Sequence, residues 1–179
     1  MKGDHLLLSS RSREICFAAV MTALTVVAAT FFVRVPAFGT GLRFHFGEAV
    51  LCTAALLGGG RLGAAVGGVG SALADIVLGL LVWAPVSLVV HGLEGYVIGR
   101  LSDGRGGARD FAALFYGAGL MMSGYAGGAW VLYGRAAVPV ETAQNLVQAM
   151  VGITAAWAVS SAIRRAFPAL LLRGREHGR

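Results

Sequence analysis

Glu48, Asp75, His91 and Glu94 stand inside, or at the mouth of, long apolar stretches of this 179-residue sequence. An ionisable group in hydrocarbon costs at least ~2.5–3.5 kcal/mol unless a cavity or a partner receives it, so each of these marks a candidate site. His91 and Glu94 lie about one helical turn apart, a spacing that lets the imidazole pair with the carboxylate and hold its orientation. Further along, Glu141, Asn145 and Gln148 recur at helical spacing, with Gln144 beside them, and place a carboxylate and primary amides on one face. Trp83, Tyr125, Trp130 and Tyr133 add aromatic faces. Carboxylates that accept hydrogen bonds from ring amino or hydroxyl groups, amides that both donate and accept, and rings that stack are the means of holding a small heteroaromatic molecule. The same residues also have plainer uses. Trp83 and Tyr133 suit anchoring at the headgroup level, Glu141 suits a solvated first helical turn, and the buried polar groups could pair with one another.

Other chemistries are poorly served. His45, Glu48, His91 and Glu94 could together bind a divalent metal in a membrane-embedded hydrolase, but no compact motif such as HExxH is present, and no Ser or Cys nucleophile stands beside a candidate base. There is no GxxxxGK[ST] phosphate loop. We therefore expect no enzyme activity, no catalytic residue, no cofactor and no metal site. Cys16 and Cys52 both fall in apolar stretches, which excludes a disulfide-stapled fold and a cysteine-rich zinc site.

The elements that must position these residues follow from composition. Hydrophobic residues make up 56% of the chain, charged residues only 13%, and the mean hydropathy is +0.72, too apolar for the surface of a small water-soluble domain. The net charge of +6 is spread between apolar runs rather than along one polar face, so nucleic acid is not the expected partner and a lipid bilayer is. Five stretches are long enough to cross a bilayer: Ile15–Val33, Leu62–Val82, Val86–Leu101, Phe111–Tyr133 and Ala143–Phe167. Gly47–Leu57 is short, but its leucines are unlike a solvated loop, and it reads as a short second helix. Lys2, Arg11 and Arg13 before the first apolar run resemble the start of a signal peptide, yet the run is too long for one.

With both termini in the cytoplasm, six spans put Lys2, Arg11, Arg13, Arg61, Arg100, Arg105, Arg109, Arg164, Arg165, Arg173, Arg175 and Arg179 inside and only Arg34, Arg43 and Arg135 outside. That asymmetry obeys the positive-inside rule and depends on the short second helix. The expected architecture is an all-α integral membrane protein, a compact six-helix bundle over 14–167, with a basic cytoplasmic N-terminus at 1–13 and a basic cytoplasmic tail at 168–179. Gly59, Gly63, Gly67 and Ser71, and the adjacent Gly60, Ala64, Gly68 and Ala72, form small-xxx-small faces for close helix packing. Glu48, Asp75, Trp83, His91, Glu94, Tyr125, Trp130, Asn145 and Gln148 then converge on the outer half. Between the first two spans, Arg34 to His45, with Phe38, Arg43 and Phe44, is long enough to fold over that mouth as a lid.

The pattern resembles the substrate-binding S components of energy-coupling factor (ECF) vitamin transporters, across residues 13–165. The likeness is carried by Ala18-Ala19-Val-Met-Thr-Ala23, Phe32-Val-Arg-Val-Pro36, Phe46-Gly-Glu-Ala-Val50, Gly67-Gly-Val-Gly-Ser-Ala-Leu-Ala-Asp75, Trp83-Ala-Pro85 and Gly92-Leu-Glu-Gly95, in that order. The resemblance implies a multi-pass protein of a prokaryotic plasma membrane that captures a vitamin or precursor outside and joins a transmembrane coupling subunit and two cytoplasmic ATP-binding subunits. It further implies that Ala19 and Ala23 contact the coupling subunit, that the loop after the first span gates the pocket, and that the subunit topples to deliver its cargo. His45, Glu48 and His91 stand where relatives often carry Asn, Asp and Lys. The metal-importing branch has a histidine after the initiator Met, where this chain has Lys2, so metal uptake is not expected. Within the family frame, an acid-plus-amide pocket suits an aminopyrimidine such as a thiamine precursor, with riboflavin next. Arg34 and Arg43 facing inward would instead suit a carboxylate vitamin such as pantothenate. A self-contained secondary transporter would call for an inverted repeat that the sequence does not display.

Overall fold

A computed structural model gives the fold of residues 10–37 and 40–167, with the side chains of residues 11–33 and 44–167. The basic segments 1–9 and 168–179, the expected lid residue Phe38 and the side chains of Arg34 and Arg43 lie outside the described residues. Six helices follow one another: α1 Ser10–Thr30, α2 Gly47–Gly58, α3 Gly60–Val77, α4 Ala84–Leu101, α5 Ala108–Tyr133 and α6 Val138–Ala166. A 3-10 turn, Arg135–Ala137, leads into α6.

The bundle is not purely helical. β1 Phe32–Ala37 and β2 Thr40–His45 pair antiparallel between α1 and α2, in register from Phe32 opposite His45 to Ala37 opposite Thr40. Phe-Val-Arg-Val on one strand and Leu-Arg-Phe-His on the other alternate in the period of a strand, and Pro36 is tolerated because both strands of a two-stranded sheet are edges. The first apolar run therefore ends its helix at Thr30 and gives Phe32 and Val33 to the hairpin. The third ends its helix at Val77, short of Val82. Leu78 to Trp83 form a turn in which Gly79 takes φ +76° and the Leu80 N–H donates to the Asp75 carbonyl at 2.7 Å. Apolarity alone did not reveal this break, because the turn is itself built of leucine, valine and tryptophan. Pro85 then sits in the first turn of α4, where its missing N–H costs nothing.

α2 is the central element. Its 12 residues rise only about 18 Å, too short to cross a hydrocarbon core alone. It packs against α1, α3, α4 and α6, and Leu51, Cys52, Ala54, Ala55 and Leu56 join Val66, Ile98, Leu114 and Ala156 in the core. The closest crossing is α3 on α4. A Cβ on Gly63 would collide with the Gly95 carbonyl, one on Gly95 with the Gly63 carbonyl, and one on Gly67 with the His91 carbonyl. Backbones at that distance need glycine, which is the physical meaning of the small-residue repeat.

Large apolar side chains face outward on α1, α3, α4, α5 and α6, among them Ile15, Val27, Val77, Leu93, Phe115 and Met150. Such an exterior suits hydrocarbon rather than water. Two stretches, Arg11–Thr30 and Arg135–Ala166, are long and apolar enough to cross a membrane by length and composition. At the bundle end away from the hairpin, the buried Asp110 accepts hydrogen bonds from the backbone N–H groups of Asp103, Gly104 and Gly106 at 3.0, 2.9 and 2.8 Å, and pairs with Arg164 at 3.1 Å. This contact ties the α4–α5 loop and α5 to α6.

Candidate functional site

The hairpin, the α3–α4 turn and the start of α6 meet at one end of the bundle and enclose a cavity of about 330 Å³. That is the size range of small-molecule pockets. One wall is α6, with Glu141, Gln144, Asn145 and Gln148. The facing wall comes from α3 and α4, with Asp75, Leu78, Leu80, Trp83 and His91. Tyr125 of α5 closes one side, and Phe32 and His45 of the hairpin, with Ala29, close another.

On the α6 wall the Asn145 amide donates to Glu141 Oε1 at 3.0 Å, one turn away. Gln148 fastens the hairpin: its Oε1 accepts the His45 backbone N–H at 2.9 Å and its Nε2 donates to the His45 carbonyl at 3.1 Å. Gln148 is buried and His45 half-buried, so this two-point bond holds β2 against α6 in a partly dehydrated setting.

The opposite wall is organised by Ser87. Its hydroxyl donates to Asp75 Oδ2 and accepts from the Tyr125 hydroxyl, both at 2.5 Å. The result is a chain of oriented hydroxyls that leaves the second Asp75 oxygen for another donor. Trp83 stacks on Tyr125, with centroids 5.5 Å apart and planes at 28°, and Tyr133 leans on Trp83 at 5.8 Å. His91 lies 5.2 Å from Tyr125.

Behind His91 the polar groups continue into the core. His91 Nδ1 is 2.7 Å from Glu94 Oε2 and 3.6 Å from Glu48 Oε2, and the Cys52 thiol donates to Glu48 Oε1 at 3.8 Å. Glu48 and Glu94 are buried and do not line the cavity; they lie behind the imidazole that does.

Of the residues singled out from sequence, Asp75, Trp83, His91, Tyr125, Asn145, Gln148 and His45 line the cavity, and Glu48 and Glu94 stand behind its floor. Trp130 does not join them. Five residues beyond Tyr125 it has turned roughly 140° around α5, and it is 60% exposed on the outer surface. Phe44 packs edge-on against Phe46 at 6.3 Å rather than lining the cavity. Ala19 and Ala23 lie on an exposed face of α1. His45 stands apart from the Glu48, His91 and Glu94 group, so the four do not form one cluster. Ser87 was missed, although Trp83, Ser87, His91 and Glu94 fall at helical spacing on one face of α4, a signal present in the sequence. Phe32, Leu78 and Leu80 gave no such signal, because nothing in an apolar run announces a turn.

A helical bundle with an apolar exterior, one polar and aromatic cavity at its end, and a hairpin tied across that end has the build of a ligand-binding membrane subunit. The family model described as "ECF-type riboflavin transporter, S component" matches residues 9–165, and the chain belongs to that family. It is a transporter family rather than an enzyme family. Its S components are prokaryotic plasma-membrane proteins that bind vitamin-like ligands and pair with a coupling subunit and ATPase subunits. The chain is also 36% identical over 129 residues to a protein of Pyrococcus woesei described as "Uncharacterized protein in gap 3'region", a match that spans 72% of this chain and 86% of that one.

Proposed function

We propose that the chain captures riboflavin in the cavity between α3, α4, α5, α6 and the hairpin, on the outer side of the membrane, and delivers it to an ATP-driven coupling module. The observation that carries the substrate is the extent of the polar wall. Asp75, Glu141, Gln144, Asn145, Gln148 and His45 all face a cavity that also holds the stacked Trp83 and Tyr125. Several of these groups are already oriented by partners within the protein, Gln148 by His45, Asn145 by Glu141 and Asp75 by Ser87, so a ligand meets them as one extended polar row beside the aromatic pair. A tricyclic ring with a polyhydroxyl side chain engages both the aromatic pair and the polar row. This reverses the order suggested by the acid and amide groups alone, and it agrees with the ligand named in the family's description.

In this reading Asp75 and Asn145 receive ring or hydroxyl donors, Trp83 and Tyr125 stack on the ring system, and the hairpin Phe32–His45 is the lid, released by breaking the Gln148 tether to His45. The exposed Ala19 and Ala23 face of α1 meets the coupling subunit, the segments 1–13 and 168–179 lie in the cytoplasm, and the whole subunit topples to deliver its cargo. The test is tryptophan fluorescence of the detergent-purified chain titrated with riboflavin, hydroxymethylpyrimidine, thiamine and pantothenate. Riboflavin quenches saturably, Trp83→Phe removes the signal, and Trp130→Phe retains it. Saturable quenching by hydroxymethylpyrimidine with none by riboflavin would overturn the assignment.

A further inference from the structure

The cluster behind the cavity floor is not explained by riboflavin capture. Glu48, His91 and Glu94 are each at most 5% exposed, and one ligand-type atom from each lies within 4.8 Å of the other two. Among the described residues no Lys or Arg pairs with either carboxylate. Glu48 Oε2 and Glu94 Oε1 are buried without a hydrogen-bond partner. Two carboxylates in a core of this kind stay ionised only against a compensating positive charge, and buried charges in proteins are met by a counter-charge or a metal.

The surroundings are shaped to hold these side chains in place. A Cβ at Gly152 would collide with Cγ of Glu48, and one at Gly117 would collide with Ile98 and sit 3.4 Å from Glu94 Cγ. Gly152 thus leaves room for the Glu48 stem, which a Cβ there would displace, while Gly117 makes room for Ile98 beside Glu94. The donor set, one imidazole nitrogen and two carboxylates, is that of a zinc-class divalent cation. Such an ion, bound at about 2.1 Å, draws its ligands to about 3.4 Å from one another at tetrahedral angles. The pairs from His91 to Glu94 and to Glu48 already stand at 2.7 and 3.6 Å.

We infer that Glu48, His91 and Glu94 form a binding site for one divalent transition-metal cation beneath the floor of the cavity. A 2+ ion with two carboxylates and a neutral imidazole makes the buried group electrically neutral and gives the unpartnered Glu48 Oε2, 3.6 Å from the imidazole, a bond. The spacing of these residues along the chain shows no metal motif because the site is assembled from two helices, α2 and α4.

The test uses the purified full chain, stripped with a chelator and titrated with Co²⁺ or Zn²⁺. Stoichiometry is read by elemental analysis after gel filtration, and the ligand field by visible absorption of the Co²⁺ form. One ion per chain is expected, weakened at least about tenfold by Glu94→Gln and by His91→Asn, since loss of a ligand costs no less than loss of an outer-shell partner. Glu14→Gln, on the exposed face of α1, leaves binding unchanged. Thermal unfolding of the metal-free variants separates loss of the ion from loss of the fold. A wild-type chain that retains no stoichiometric ion, or folded variants that bind it as well as wild type, would overturn the assignment and leave the cluster neutralised by protons. Riboflavin binding is scored separately, so either result stands apart from the substrate assignment.

Discussion

Ser87 does not line the cavity, yet its hydroxyl sets the geometry of two residues that do. Its one hydroxyl links Asp75 on α3 to Tyr125 on α5, so Ser87→Ala frees a carboxylate and a phenol at once. We predict roughly tenfold weaker riboflavin binding, equivalent to about 1.4 kcal/mol, with a modestly lowered unfolding temperature. Isothermal titration and a thermal melt check this together, and an unaltered affinity would show that Asp75 and Tyr125 are held by packing alone. Gln148 acts at the same scale on the hairpin. Gln148→Ala removes both bonds to the His45 backbone and should speed riboflavin dissociation far more than it slows association, because a loosened lid acts on escape. Stopped-flow fluorescence separates the two rates. The sequence pointed to most of these side chains, since an acid or amide in an apolar helix is conspicuous. It could not pair them, because the hydrogen bonds that matter, except those within one helix turn, join different elements, 12 residues apart for Asp75 and Ser87 and 103 for His45 and Gln148.

At the level of elements, what holds the site is the α3–α4 crossing beneath it. Gly63→Ala and Gly95→Ala each place a methyl group against a facing carbonyl and should destabilise the bundle by about 1–3 kcal/mol or more. Gly119→Ala, which meets nothing within 4 Å, should leave stability unchanged. Denaturation in mixed detergent micelles tests the contrast, and equal effects at all three positions would show that the close backbone approach is not what Gly63 and Gly95 supply, since alanine is the better helix former. At the far end, Asp110→Ala should cost about 3–5 kcal/mol by stranding the buried Arg164 and three backbone donors. Six helices, including the short α2, were legible from apolar length and charge asymmetry. The hairpin was not, because Arg34 to His45 has the glycine and proline content of a loop, and its strands are recognisable only once α1 and α2 bring their ends together. The break after Val77 was hidden for a different reason: its residues are as apolar as the helix they end.

For the whole molecule, one end carries a polar cavity and the exposed face of α1 carries Ala19 and Ala23, so the proposed reading assigns capture and coupling to different surfaces. Ala19→Leu with Ala23→Leu should therefore abolish co-purification with the coupling subunit and leave riboflavin affinity within about twofold of wild type, since side chains on a separate exposed surface leave the cavity untouched. Loss of both would mean that α1 shapes the cavity. The most direct test of the account is a titration of riboflavin's own fluorescence with the purified chain and with Trp83→Ala and Asn145→Leu, which remove the stacking surface and fill the polar wall. Stoichiometric one-to-one quenching by the wild type, weakened at least tenfold in each variant, as expected when about 1.4 kcal/mol or more of contact is lost, is the predicted result. Wild-type chain that leaves riboflavin unquenched, or variants that bind it as tightly, would contradict the claim that this cavity is the vitamin site.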